Sequence, residues 1–259
     1  MNYLIVILFF IQVTTYAQKG IVYYGEIKSP GMRSAAGPDL NSFLVFDVYQ
    51  SYYVTAKDSL EVIPKTQAIY QGSNEQQVVY TGDKTSRYGE QVYFDREKDS
   101  SWWSQRFGGN IYIAEKRPEI DWKLQPETKK IGNFNAHKAV GKFRGREYTA
   151  WYTLEVPLPY GPWKLQGLPG IILEAYDEKK EMYLYFKSLE YPTKNKTRIT
   201  QVNRVKSEGK AWKTIDDFED MLRKSLIKAY NGMVLRAERN GTEKPEKPVF
   251  SEIYIESFE

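Results

Sequence analysis

Apolar and polar residues alternate with a period of two along much of the chain, which is the spacing of β-strands. In Gly20–Lys28, Val22, Tyr24 and Glu26 share one face, and Ile21, Tyr23 and Ile27 fall largely on the other. Ser29-Pro30-Gly31 and Gly37-Pro38-Asp39 break the pattern. Ser42–Thr55 is rich in Phe, Val and Tyr and predicts strand, with a hairpin turn near Gln50-Ser51. A polar stretch, Gln71–Gln77, precedes a strand at Val78–Thr81. Short strands follow at Gln91–Asp95, Trp102–Phe107, Tyr112–Ala114 and Ile120–Leu124. Asp99-Ser100 and Gly108-Gly109-Asn110 supply turns between them. Ile131–Phe143 and Arg146–Val156 read as longer strands joined near Arg144-Gly145. Gly170–Asp177, Met182–Leu189 and Arg198–Val205 complete a meander, with Asp177-Glu178-Lys179-Lys180 as a connecting turn. Phe250–Ile255 alternates again and predicts a last docked strand.

One segment has helical spacing instead. Thr214 stands as an N-cap before Ile215-Asp216-Asp217, which puts two acids in the first turn. Phe218, Leu222, Ala229 and Met233 recur on one stripe, and Leu226 thickens it. That stripe should pack on the sheet. In adjacent strand residues Trp102 and Trp103, one ring should be buried and the other more exposed. The fold class is therefore mainly β (α+β): a curved antiparallel sheet, with a half-barrel as one form it can take, and one packed helix in the C-terminal half. With no internal repeat and no linker, residues 18–259 read as a single domain.

The most tightly specified backbone lies at Gly161-Pro162-Trp163-Lys164-Leu165-Gln166-Gly167-Leu168-Pro169-Gly170, directly before the apolar run Ile171-Ile172-Leu173. Proline fixes φ and glycine permits positive φ, so this is a shaped loop feeding a buried strand. At least one of Gly167 and Gly170 should hold a positive φ or allow close backbone approach. Gly161, Pro162, Gly167, Pro169 and Gly170 are its structural residues. Two roles follow for its aromatics. Trp163 can plug the core, or Trp151, Trp163 and Leu168 can form the rim of a ligand-binding concavity.

Composition narrows the functional classes. Of 259 residues 41% are hydrophobic and 15% aromatic, with 21 Tyr, which supplies a core and favours β-structure. The 37 basic and 33 acidic residues are interspersed and leave a net charge of +4, far from a nucleic-acid footprint. The N-terminus reads as a secretory signal over residues 1–17. Tyr3–Val13 is apolar, and Thr15 and Ala17 put small residues at −3 and −1, although no Lys or Arg precedes the run. No later apolar run reaches membrane-spanning length. The expected location is the periplasm or the extracellular space, without a lipid anchor, because the chain has no Cys.

The chain has one histidine, His137, within a predicted strand, where a structural or surface role is expected. No Gly-x-Ser-x-Gly elbow accompanies it. With no Cys, a closed structural zinc site is excluded. Asp95, Glu97 and Asp99 alternate like calcium ligands, but Ser100 replaces the required Gly and Arg106 the bidentate Glu, so they read as a charged hairpin end. No phosphate-binding loop or dinucleotide fingerprint occurs. Glu147, Glu155, Glu174 and Asp177 flank the central strands. Carboxylates can hydrolyse glycosides when they converge at defined separations.

Between Trp122 and Asp177 the chain resembles the GLPGLI family of uncharacterised exported bacterial proteins. The resemblance rests on Trp122, Lys130-Ile131-Gly132, Lys138-Ala139, Gly145-Arg146, Ala150-Trp151-Tyr152-Thr153, Pro157, Gly161-Pro162-Trp163-Lys164 and Gly167-Leu168-Pro169-Gly170-Ile171-Ile172-Leu173. Ile171 stands where the eponymous motif has Leu, and Ala136-His137 where the family often has Cys. The resemblance implies export and no particular activity. By strand order and this turn the chain is also similar, at the level of fold, to lipoprotein-carrier half-barrels. The expected function is a non-catalytic one: binding of an apolar or peptide-like ligand, or of an envelope protein partner, with no cofactor, no metal and no nucleic acid. The alternative is a hydrolase using carboxylates: Glu147, Glu155, Glu174 and Asp177 converging in one cleft would favour it, and scattered or solvent-facing positions would favour binding.

The signal reading has a direct check. N-terminal sequencing of the secreted fraction should begin at Gln18, and a secreted protein that still starts at Met1 would refute it.

Overall fold

The computed structural model describes residues 18–61, 68–71, 77–80, 85–200, 202, 205–250 and 254–258. The 1–17 segment and Thr81 therefore lie outside the described residues. The strands are β1 (Gly20–Lys28), β2 (Asp39–Phe46), β3 (Gln50–Thr55), β4 (Ala68–Gln71), β5 (Gln77–Tyr80), β6 (Glu90–Asp95), β7 (Ser100–Arg106), β8 (Asn110–Lys116), β9 (Lys123–Ile131), β10 (Phe134–Phe143), β11 (Arg146–Thr153), β12 (Ile171–Asp177) and β13 (Met182–Glu190). Helix α1 spans Ile215–Asn240. Eleven strands form one antiparallel sheet in the order β8-β7-β6-β3-β2-β1-β13-β12-β11-β10-β9, and β4 and β5 pair separately. The sheet is open, since β8 and β9 stand at its two ends.

Cross-strand register assigns its two faces. One row runs Val22–Leu44–Tyr53–Val92–Trp103–Ile113 over six strands, and the neighbouring row runs Ile21–Val45–Tyr52–Tyr93–Trp102–Ala114. Both rows are apolar, so both faces need cover. The first carries the fully buried Trp103, the second the half-buried Trp102. On the second face, Ile199, Val202 and Val205 pack over Ile21, Phe43, Tyr93 and Tyr112.

The first face is covered from within by residues 154–170, the connection between β11 and β12. The Tyr160 ring lies 6.0 Å from those of both Phe46 and Phe94, and Trp163 lies 5.6 Å from Phe143. Its neighbour Lys164 places Nζ 3.2 Å from the ring centre of Trp103 on β7. In a flat sheet β7 and β10 would lie about 38 Å apart, at about 4.8 Å per strand. Two consecutive residues touch both, so the sheet curls around the loop. Its two ends approach closely enough for Arg144, in the β10–β11 turn, to pair with Glu115 of β8.

The loop's backbone explains its composition. Ile172 N–H donates to Tyr160 O at 2.9 Å, and Gly167 N–H to Pro159 O at 3.0 Å. A Cβ on Gly170 would lie 2.0 Å from Thr153 O, so only glycine lets the loop re-enter the sheet there. Gly167 takes a φ of 96°. Trp163 itself has a φ of 56°, a conformation a bulky residue rarely adopts.

Several expectations from the sequence need correction. The β2–β3 hairpin turns at Asp47–Tyr49 rather than Gln50-Ser51, because Asp47 Oδ1 accepts from the amides of Tyr49 and Gln50. Of the strand expected at Ile120–Leu124 only Lys123 and Leu124 are strand, as the start of β9. The expected single strand at Ile131–Phe143 is split by a turn at Gly132, whose φ is 56°, and β9 is an additional edge strand before it. β9 is largely exposed and charged, so it carries no apolar alternation to read. Among the described residues of 198–205 there is no strand; Ile199, Val202 and Val205 recur every third residue and serve as a cover. Phe250 is buried, but residues 254–258 are irregular rather than a strand.

Helix α1 begins with a reciprocal cap. Thr214 Oγ1 accepts from Asp217 N–H at 3.1 Å, and Asp217 Oδ2 accepts from Thr214 N–H at 2.9 Å. Gly241, at φ 65°, ends it. Phe218 and Leu222 are buried against Trp103, Ile111 and Ile113. Ala229 and Met233 are exposed, so only the first half of the expected stripe packs on the sheet. Leu222→Ala should lower unfolding free energy by about 2–5 kcal/mol in urea titrations. Leu235→Ala, at a residue 64% exposed, should change it by less than about 0.5 kcal/mol. Equal losses would contradict a helix docked by one half.

Candidate functional site

The loop and the curled sheet bring charged side chains into the interior, where charges persist only in pairs. Lys164, from the Gly161–Gly170 loop, is buried and pairs with Glu256, which is buried too. Arg144 Nε lies 3.6 Å from the other oxygen of Glu256. Trp103 Nε1 donates to Glu115 at 2.7 Å, which ties the Trp103 ring to the carboxylate that holds Arg144. Burial lowers the Lys164 pKa against the opposing pull of Glu256.

Beside this cluster is a cavity of about 190 Å³, bounded by Lys28, Glu90, Trp163, Phe218, Leu222 and Tyr254 among others. Lys28 Nζ lies 2.9 Å from Glu26 and 3.1 Å from Glu90. Burial would pull the Lys28 ammonium down, but the two carboxylates outweigh it and hold its pKa raised. Burial would raise Glu90, and Lys28 outweighs that, so its pKa is lowered. Glu26 also accepts from Tyr53 Oη at 2.6 Å and Thr55 Oγ1 at 3.0 Å.

A larger cleft, about 430 Å³, opens at the β10–β11 and β12–β13 turns. Its floor is Arg146, whose Nη1 donates to Asp177 at 2.6 Å and Glu181 at 2.7 Å. All three are buried. Asp177 accepts in addition from Met182 N–H at 2.9 Å. Exposed Arg33, Glu147, Glu178, Lys179 and Val249 form the rim.

The residues singled out in the sequence fall as follows. Trp163 is 7% exposed, Trp151 8% and Leu168 1%, so all three lie inside the protein. They do not form one surface: Trp163 packs on Phe143 and Tyr148, whereas Trp151 lies under Lys129 Nζ, 4.3 Å from its ring centre. Glu147 and Asp177 share the 430 Å³ cleft. Glu174 instead pairs with Lys129 at 2.9 Å, and exposed Glu155 accepts from Asn135 N–H at 3.0 Å. The four carboxylates thus do not meet. His137 is half-buried, its ring 5.8 Å from that of Tyr152. Asp95 is held by Lys98 and Asp99 by Arg117, at a hairpin end. Among the described residues no group of His, Asp and Glu side chains could hold a metal ion, and no helix is long and apolar enough to cross a membrane.

Sequence reasoning missed Arg144, Arg146 and Lys164. The available signal was that each is a cation inside or next to a segment otherwise specified for burial.

Residues 142–174 match a family described as "Protein of unknown function (Porph_ging)". The matched stretch contains Arg144, Arg146, Trp151, Trp163 and Lys164, the interior residues described above. Comparison with curated proteins gives no match. Two solved structures of PNGF-II are similar in fold. The one in space group P21 has a TM-score of 0.50 and 15% identity, covering 81% of this chain and 34% of that one. The one in space group C2 has a TM-score of 0.49 and 16% identity, covering 81% and 33%. The chain thus spans about a third of the length of the structures it matches, and the likeness is one of fold alone.

Glu90 gives the interior charges a measurable signature. Its carboxyl holds a proton less readily folded than unfolded, so the stability it contributes is complete above its ordinary value of 4.5 and is lost as pH falls below it. Glu90→Gln should flatten the acid limb of a plot of urea midpoint against pH. An acid limb identical to wild type would show that the Lys28–Glu90 pair is not formed.

Proposed function

We propose that this is an exported, non-catalytic binding protein that takes a peptide-like ligand in the 430 Å³ cleft. The observation that carries the reading is the cleft's mixed lining: Arg33 and Lys179 share its rim with Glu147 and Glu178, over a floor in which Arg146 pairs with Asp177 and Glu181. A short peptide presents an ammonium, a carboxylate and amides together, and such a lining can meet all three. The volume lies within the range of small-ligand pockets. A wholly apolar ligand finds less support, because the space enclosed by the sheet is taken up by Tyr160, Trp163 and Leu165. The separation of the four candidate carboxylates supports binding over hydrolysis. Asp177 is committed to Arg146 and to a backbone amide, which leaves it poorly placed to exchange protons with a substrate.

Saturation-transfer NMR with a panel of free tripeptides should detect binding to the wild-type protein. The pair Arg33→Glu and Lys179→Glu together should weaken it about tenfold or more, which corresponds to about 1.4 kcal/mol. The tripeptides should be recovered intact. No transfer from any tripeptide, or equal binding by the double variant, would overturn the reading, and cleaved tripeptide would favour the hydrolase.

A further inference from the structure

Segment 254–258, Tyr-Ile-Glu-Ser-Phe, is held in the manner of a bound peptide rather than of a secondary-structure element. Its main chain is read directly: Arg146 Nε donates to Ile255 O at 2.9 Å and Nη2 to Tyr254 O at 3.1 Å, while Ser257 N–H donates to Arg144 O at 2.9 Å. Its central side chain, Glu256, enters the interior to reach Lys164. The aromatic residues two positions to either side lie against rings of the body. Tyr254 is 6.1 Å from Phe107, and Phe258 is 6.1 Å from Phe218 and under the Arg144 guanidinium at 4.7 Å.

The receiving surface is shaped for close approach. A Cβ on Gly145 would lie 2.6 Å from Ser257 Cβ, and Gly145 has a φ of 74°, so this position admits the segment's backbone only as glycine. The fit around the carboxylate is incomplete: Glu256 Oε2 has no hydrogen bond, and Arg144 Nε lies 3.6 Å from it. Of the connection back to α1, residues 241–249 are mostly exposed, without regular structure, and contain Pro245 and Pro248, whereas Phe250 is buried in the cluster of Trp103, Phe218 and Leu222. A segment tethered this way competes with free ligands through its effective concentration, on the order of millimolar.

We propose that residues 254–258 are an internal ligand in a peptide-binding groove built by Arg144, Gly145, Arg146, Lys164 and Phe218. The ligand that replaces them is a segment of another protein with a carboxylate flanked, two residues to each side, by aromatic rings. Main-chain contacts supply general affinity for a peptide, and the buried Lys164 ammonium selects the acidic residue, because an amide in that place would leave the ammonium unpaired. The groove shares Gly145 and Arg146 with the cleft proposed above, and the two readings are told apart by the probe, which must carry an acidic residue between aromatics, and by the selecting residue, Lys164.

The test uses the full-length Glu256→Ala protein and fluorescein-labelled Tyr-Ile-Glu-Ser-Phe amide, read by fluorescence anisotropy. The peptide should bind the variant about tenfold or more tighter than it binds wild type, where the tethered segment competes. Replacing its Glu by Gln, or adding Lys164→Met to the protein, should remove that gain. A folded Glu256→Ala protein that fails to bind, or that binds the Glu and Gln peptides alike, overturns the proposal. A second measurement does not depend on that variant folding. A protease site placed after Glu243 in the wild-type sequence is cut, and about 100-fold excess of labelled peptide is added. Release of the cut fragment with uptake of label supports a replaceable ligand; a fragment that stays bound shows that the segment is an integral part of the fold and overturns it.

Discussion

The structure depends on a single steric constraint: the connection between β11 and β12 must pass through the inside of the sheet. An antiparallel sheet that is apolar on both faces cannot stand alone in water. Ile199, Val202 and Val205 cover one face from outside. The other is filled by Tyr160, Trp163 and Leu165, and the strands curl about them until β7 and β10 touch neighbouring residues of one loop. Gly170 follows from this, because the chain must rejoin the sheet in van der Waals contact with the Thr153 carbonyl. So does the left-handed backbone of Trp163, which turns the ring toward Phe143 while the next residue, Lys164, faces Trp103.

Filling the concavity with chain also determines where charge can go. A loop that carries a lysine into an aromatic interior must find it a carboxylate, and Glu256 is that partner. The same logic holds at the other end, where Arg146 reaches Asp177 and Glu181, and at Lys28 between Glu26 and Glu90. Buried ion pairs of this kind contribute less to stability than to uniqueness of arrangement, since their removal in halves leaves an uncompensated charge. The residues 142–174 that match a family of unknown function include the cations of two of these pairs, together with the loop.

The β-rich class and the helix start were legible because both produce periodicity. β1 and β13 largely alternate, β12 opens with the apolar run Ile171-Ile172-Leu173, and Thr214-Ile215-Asp216-Asp217 states its own cap. The importance of the Gly161–Gly170 loop was also legible from its glycines and prolines. What was hidden follows from physics that leaves no periodic trace. β9 is a polar edge strand, so neither of its faces needs apolar residues. The docked half of α1 cannot be told from the free half by spacing, because Met233 and Leu222 occupy equivalent positions on the helix and differ only in what lies opposite. The carboxylates near the central strands looked alike in sequence, yet Asp177 turns toward the Arg146 floor while Glu174 faces Lys129 on the other side of the sheet. Lys164 could not be distinguished from a solvated lysine until the curl of the sheet brought Trp103 over it.

The contact between Arg144 and Glu115 gives this sheet two kinds of seam. Between neighbouring strands, closure is by backbone hydrogen bonds, whose strength is indifferent to salt and to the identity of the side chains. Between its far ends, the direct contact is a pair of side chains, with segment 254–258 lying beside it. The circumference is therefore held like a clasped band rather than a welded hoop: where its ends meet there is no ladder bond to break, and the fastening is made by side chains instead of by the sheet.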